Sequence, residues 1–149
     1  MSVRVLGFDD LDARTAYAVW RLRQDVFVVE QACTYPDLDG RDREPGTRHV
    51  VLEEGDEVAG YLRVLDDGEH WRIGRVVLTR TARGRGLADL LMTAALAECS
   101  SELNGRDVVL GAQSPLAGWY ATFGFEVSGP EYLDDGIAHL PMRLRTAPP

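Results

Sequence analysis

Residues 71 to 91 read WRIGRVVLTRTARGRGLADLL, and the fold follows from how they are parsed. Trp71 to Leu78 is rich in apolar and β-branched residues, the composition of a buried strand. Past it, apolar residues fall at Leu87, Leu90, Leu91 and Ala94, the spacing of a helix face. Between the two lies Arg83-Gly84-Arg85-Gly86, two glycines interleaved with two cations. Strand, glycine turn and helix start together make an anion cradle. Glycine reaches positive φ easily and leaves no Cβ in the way of a ligand. The first N–H groups of a helix lack an intrahelical acceptor, and the helix dipole favours negative charge there. The expected guest is a phosphate or pyrophosphate. The pattern G-x-x-x-x-G-K-[ST] is absent, so this is not a P-loop. G-x-G-x-x-G is also absent and the strand is not the chain's first, which argues against a dinucleotide fold.

The rest of the chain frames that stretch. Its 149 residues suit one compact domain, spanning 1–149, with its own core. An apolar content of 45% argues for a globular chain rather than a disordered one. The formal net charge of −8 disfavours nucleic acid and anionic membrane as partners and suits a cationic substrate. The N-terminal residues carry no signal pattern, and no apolar run has the length of a membrane span. Cys33 and Cys99 form no disulfide framework, and with His49, His70 and His139 they fit no metal motif. The expectation is a cytoplasmic protein with free thiols and no metal, a monomer or homodimer.

Val3 to Phe8 reads as a first strand, and Asp10 or Asp12 can cap the following helix. Ala16, Val19, Trp20, Val26 and Phe27 give that helix its apolar stripe. The β-branched run Val26, Val28, Val29 predicts that regular helix gives way to a tighter segment. Residues 32–48 lack periodicity and carry Asp37, Asp39, Asp42 and Glu44, a length at which loops are often functional. His49 to Leu52, Val58 to Leu65 and Trp71 to Leu78 read as a meander, with turns at Gly55 and Gly68. A helix is expected from Leu87 to Leu103, ended by Asn104-Gly105. Val108 to Leu110 reads as a strand. Ser114-Pro115 opens a short helix that closes near Thr122. Phe123-Gly124-Phe125 starts another strand, His139 to Leu144 is the last, and the Ala147-Pro148-Pro149 tail is expected to fray. The pattern β-α-βββ-α-β-α-ββ predicts an α/β fold with a mixed, mostly antiparallel central sheet and helices on both faces.

Two motifs then point to one family. Arg83, Gly86 and Ala88 give R-x-x-G-x-A, and Tyr120, Phe123, Gly124 and Phe125 give Y-x-x-F-G-F further on. In this order they resemble the two signatures of the GNAT N-acetyltransferases. Residues 22–35, Gly111-Ala112-Gln113 and Asp134 to Met142 are similar to the ElaA-like branch. Ala138 stands where that branch usually has proline, Trp119 where it usually has phenylalanine, and Ser114-Pro115 replaces the branch's common residues after Gln113.

The resemblance implies an enzyme that moves an acetyl group from acetyl-CoA to a primary amine, with no metal. It implies that Arg83, Gly84, Arg85, Gly86, Leu87 and Ala88 hold the pyrophosphate. It also implies that Val76, Val77 and Leu78 offer backbone to the pantetheine arm, in a splay between their strand and the one at Val108 to Leu110. Tyr120 matches the tyrosine that protonates or orients the departing thiolate. A base is needed to deprotonate the amine. Glu30, Asp37, Asp39, His49 and His139 are candidates by type; Glu30 ranks first and His139 second, with a water relay as the alternative. The acidic loop is expected to draw a cationic amine. Two other readings compete: an acyl-homoserine-lactone synthase-like acyltransferase and a CoA-binding sensor without turnover.

Overall fold

Three antiparallel strands make the middle of the sheet: β2 (Arg48–Glu54), β3 (Glu57–Asp66) and β4 (His70–Leu78). They are joined by turns in which Gly55 and Gly68 take positive φ. The computed structural model describes residues 1–101 and 105–145. On one side β2 pairs with β1 (Ser2–Leu6). On the other, β4 pairs in parallel with β5 (Asp107–Gln113), which is antiparallel to β8 (Ile137–Leu144). Both β6 (Glu126–Val127) and β7 (Tyr132–Asp134) pair with β8. The parallel step between β4 and β5 is crossed by helix α2 (Ala88–Ser100).

Both faces of the sheet are covered, which explains the nearly continuous apolar runs of β2 and β3. Val50, Leu52, Leu62 and Val64 face a core with Leu91, Met92 and Ala95 of α2. Their neighbours Val51 and Tyr61 face the other way, with Val19 and Leu22 of α1 (Ala13–Arg23). The two-residue period of a strand thus sorts one run into two cores. Gly60 belongs to the close packing, since a Cβ there would lie 2.6 Å from Leu78 Cδ2.

Of the two candidate caps, Asp12 caps α1, its carboxylate accepting from Thr15 N at 2.7 Å. Past Arg23 the helix widens rather than tightens: Gln24–Glu30 is π-helical. The β-branched run does end regular α-helix, but by the looser winding, which spreads crowded side chains apart. Helix α2 starts one residue later than expected. Its expected end at Leu103 and the Asn104 cap lie outside the described residues, as does the tail from Ala147. Ser114 opens a single 3₁₀ turn before α3 (Ala117–Ala121), and its hydroxyl donates to Glu131 rather than capping. The strand expected from Phe123 starts at Glu126, after Gly124 turns the chain at φ +98°. The β7–β8 hairpin adds a strand that the sequence pattern did not separate.

The long loop is stapled by buried charge. The Arg23 side chain is fully buried and donates to Asp37 Oδ2 at 3.0 Å, Asp42 Oδ1 at 2.7 Å and the Asp37 carbonyl at 2.6 Å. Arg63 donates to both oxygens of Asp39, at 2.9 and 2.6 Å, and to Asp42 at 3.1 Å. Arg75 Nε lies 2.9 Å from Asp37 Oδ1, and its Nη2 donates to the Asp37 carbonyl at 3.2 Å. His49 sits beneath: its Nε2 faces the Asp42 carbonyl at 2.9 Å and its Nδ1 the Tyr61 hydroxyl at 2.6 Å. A carbonyl only accepts, so Nε2 carries the proton and Tyr61 donates to Nδ1. Burial lowers the pKa of His49, keeping it neutral.

Candidate active site

The parallel pairing of β4 and β5 is short. It joins His70, Trp71 and Arg72 to Asp107, Val108 and Val109, and then stops, although both strands continue. Beyond Arg72 the edge of β4 that faces β5 has no strand partner. β4 also bulges here: Tyr61 pairs with Val77 but Arg63 with Gly74, so an extra residue bows out of the ladder. That residue region includes Arg75 at φ +54°, costly for a residue with a Cβ. Its side chain is held from several sides, by the Asp37 and Asp39 carboxylates and over the Tyr35 ring at 5.2 Å. The loop staple therefore also fixes the bulge. No sequence signal beyond the adjacent Gly74 marks it.

A pocket of about 300 Å³ fills the gap. Gly74, Arg75 and Val76 line one side, and Leu110, Gly111 and Gln113 the other. Tyr120 of α3 closes the α2 face. Its ring makes edge contacts with Trp119 and Phe125, while its hydroxyl has no hydrogen-bond partner among the described residues. Burial pushes its pKa up to about 12. Toward the α1 face the pocket is lined by Gln31, Cys33, Tyr35, Tyr132, Asp134 and His139. Cys33 and Cys99 are both buried and form no disulfide. His139 Nδ1 faces the Ile137 carbonyl at 2.8 Å, so Nδ1 carries the ring proton and Nε2 is the basic nitrogen. Its ring stacks on Tyr132 at 5.6 Å. Gly111 admits Tyr132, since a Cβ at 111 would overlap the tyrosine hydroxyl.

The glycine turn follows β4. Gly84 and Gly86 both sit at φ +74°, with open space where a Cβ would project. The start of α2 has no side-chain cap; Asp89 N and Leu90 N bond back to the Gly86 and Leu87 carbonyls at 3.3 and 3.1 Å, and the turn sits against this helix end. Trp119 Nε1 donates to Asp89 at 2.7 Å, tying α3 to this helix start. The two cations of the turn are engaged. Arg83 donates to Glu30 at 3.0 and 2.8 Å, and Arg85 to Glu54 at 3.2 and 2.9 Å. Arg80 lies 3.2 Å from Glu30 as well.

The structure therefore separates the base candidates. Glu30 is bound to two arginines, and the Arg83 hydrogen bonds lower its pKa. Asp37 and Asp39 are locked in the loop staple. For Asp39 burial opposes ionisation, but Arg63 outweighs it and holds the carboxyl well below its ordinary range. His49 is buried under the loop. His139 stands in the pocket. The acidic loop presents no unbalanced charge to a cationic amine, because Arg23, Arg63 and Arg75 match Asp37, Asp39 and Asp42. Tyr35, Arg75, Gln31, Gln113 and Tyr132 are pocket residues that motif reading passed over. Gln31, Tyr35 and Gln113 fell within stretches already noted as branch-like. Among the described residues no helix is long and apolar enough to cross a membrane, and no cluster of ligating side chains could hold a metal.

A family model described as an acetyltransferase (GNAT) domain matches residues 23–146. The UPF0039 protein Rv2851c of Mycobacterium tuberculosis is 49% identical over 146 residues, covering 95% of this chain and 91% of the relative. The protein ElaA of Escherichia coli is 39% identical over 140 residues, 92% of each chain. The crystal structure of Escherichia coli ElaA superposes with a TM-score of 0.92 at 35% identity, covering 97% of this chain and 99% of that one. An acyl-CoA N-acyltransferase from Pseudomonas aeruginosa superposes at 0.91, also 35% identical, with the same coverage. With the split sheet, the glycine turn and these likenesses together, the chain belongs to the GNAT acyltransferase superfamily, as an ElaA-like member.

Proposed function

We propose that the protein is an N-acetyltransferase that passes an acetyl group directly from acetyl-CoA to a primary amine. The observation that carries this reading is the open inner edge of β4 beside the glycine turn. Buried backbone N–H and C=O groups require partners. An amide-bearing arm ending in a pyrophosphate satisfies the strand edge and the uncapped helix start together.

When bound, acetyl-CoA supplies an acyl group activated as a thioester. The protein supplies the rest. Backbone N–H groups from Gly84 to Ala88, with Arg83 and Arg85, hold the pyrophosphate. Backbone groups of Val76, Val77 and Leu78 align the arm, and an N–H there polarises the acyl oxygen, a contribution of roughly 2.7–4 kcal/mol for a well-placed donor. Tyr120 protonates the departing thiolate. Its raised pKa, about 12, keeps the phenol protonated at working pH. An alkylammonium has a pKa of about 10 and must lose a proton before attack. His139 Nε2 is the group suited to take it, and Glu30 serves instead to tie the π-helical segment to the cradle.

Amine-dependent release of free thiol from acetyl-CoA, across polyamines, amino sugars and peptide amines, tests this reading. Turnover restricted to long-chain acyl donors would favour the acyl-homoserine-lactone synthase-like alternative. CoA binding with no release from any donor would leave a binding module.

A further inference from the structure

The pocket lining contains one charged side chain without a protein ion-pair partner among the described residues. Arg63, Arg72, Arg75 and Asp134 are its charged lining residues. The three arginines are all paired: Arg63 and Arg75, with Arg23, are matched by Asp37, Asp39 and Asp42, and Arg72 shares Asp67 with Arg41, whose other partner is Glu44. Asp134 is solvent-exposed at the pocket mouth and makes no ion pair or hydrogen bond among the described residues. Its neighbour Asp135 is spoken for, accepting from Thr34 Oγ1 at 2.7 Å.

The hairpin register says where Asp134 lies. Tyr132 pairs with His139 and Asp134 with Ile137. Alternation puts Tyr132, Asp134, Ile137 and His139 on one face, and all four line the pocket. Asp134 is thus the diagonal cross-strand neighbour of His139, roughly 7–8 Å away, about the length of one short alkyl chain. Tyr35 lines the same end. Burial raises the pKa of both the Tyr35 and Tyr132 phenols, with Cys33 adding to it at Tyr35 and the Asp134 charge at Tyr132, and both stay neutral hydroxyls.

Which nitrogen a carboxylate suits is a matter of protonation. A nearby carboxylate raises an amine's pKa and holds it as ammonium. That is the wrong partner for the attacking nitrogen, which must be neutral. It is the right partner for a second, non-reacting cation, which the hydroxyls of Tyr35 and Tyr132 can help solvate. We propose that Asp134 forms a subsite for the distal cation of a doubly cationic acceptor, an aliphatic diamine or polyamine whose other amine faces His139 and Tyr120. This rests on the acetyl-transfer reading above and specifies its acceptor class.

The test compares three amines of equal chain length that differ at the far end: putrescine, n-butylamine and γ-aminobutyrate. Calorimetry on the CoA-bound protein measures binding, and thiol release measures turnover, for the parent and for Asp134→Asn. Putrescine is expected to bind best. Asp134→Asn should weaken it roughly 10- to 100-fold, the loss of one charge-assisted hydrogen bond, through KM with little change in kcat. The variant should bind putrescine and n-butylamine alike and keep the parent's CoA affinity and melting temperature. Putrescine binding no tighter than n-butylamine, or unaffected by Asp134→Asn, overturns the proposal even if neutral amines are acetylated. Putrescine binding that depends on Asp134, without thiol release from acetyl-CoA, keeps the subsite and overturns the transfer reading instead.

Discussion

Arg83, the leading cation of the glycine turn, is bonded through both terminal nitrogens to Glu30, the acid that sequence reasoning ranked first as a base. Each residue thus accounts for the other. The arginine stabilises the ionised carboxylate, and the carboxylate anchors the turn to the π-helical segment. Glu30→Gln should therefore lower kcat by less than about fivefold and leave the shape of the pH–rate profile unchanged. A fall of roughly 10²–10⁴, the range for loss of general base catalysis, would return Glu30 to that role.

Gly86→Val probes the cradle. A Cβ at Gly86 has no neighbouring protein atom within 4 Å, so the main cost to folding is the strained φ, about 1–2 kcal/mol. Its effect on CoA should be larger, because the branched side chain projects where phosphate approaches the backbone. Calorimetry that finds CoA bound as tightly as by the parent would misplace the cradle.

Much of this was readable from the sequence. The strand, turn and helix of residues 71–91 are set by local chemistry: β-branched residues, two glycines that need positive φ, and a helical apolar period. The meander and its turns were legible for the same reason. The loop's aspartates were not, because their partners Arg23, Arg63 and Arg75 come from a helix and two strands far along the chain. Nor was the bulge, since Arg75 is held at positive φ by contacts made only in the folded state. The β7–β8 hairpin escaped because β7 is three residues long, too short for alternation to register. Asp134 was visible as a residue, but that it forms no ion pair among the described residues is a tertiary fact.

The loop staple makes a stability prediction. Arg23→Ala strands the Asp37 and Asp42 carboxylates in a buried setting, and breaking such a pair costs about 3–5 kcal/mol. Denaturant unfolding should show a loss of that size. A loss under 1 kcal/mol would mean that the network is solvated. Asp42→Asn should likewise destabilise the fold rather than raise KM for an amine.

His49 makes a pH prediction. Its folded pKa lies below the unfolded value of about 6.5, so its neutral form contributes stability that is complete above that pH and lost as pH falls through the folded pKa. Melting temperature should decline on acidification below about pH 6.5, and less steeply in His49→Gln. Equal slopes in the two proteins would contradict a buried neutral imidazole.

The most direct test of acyl transfer at this site is kcat of Tyr120→Phe, read beside its melting temperature. The phenol hydroxyl bonds to no described residue, so its removal should leave the fold stable and acetyl-CoA affinity close to the parent's. If Tyr120 protonates the thiolate, kcat should fall roughly 10²–10⁴-fold. A near-parent kcat in a stable Tyr120→Phe protein would contradict that role.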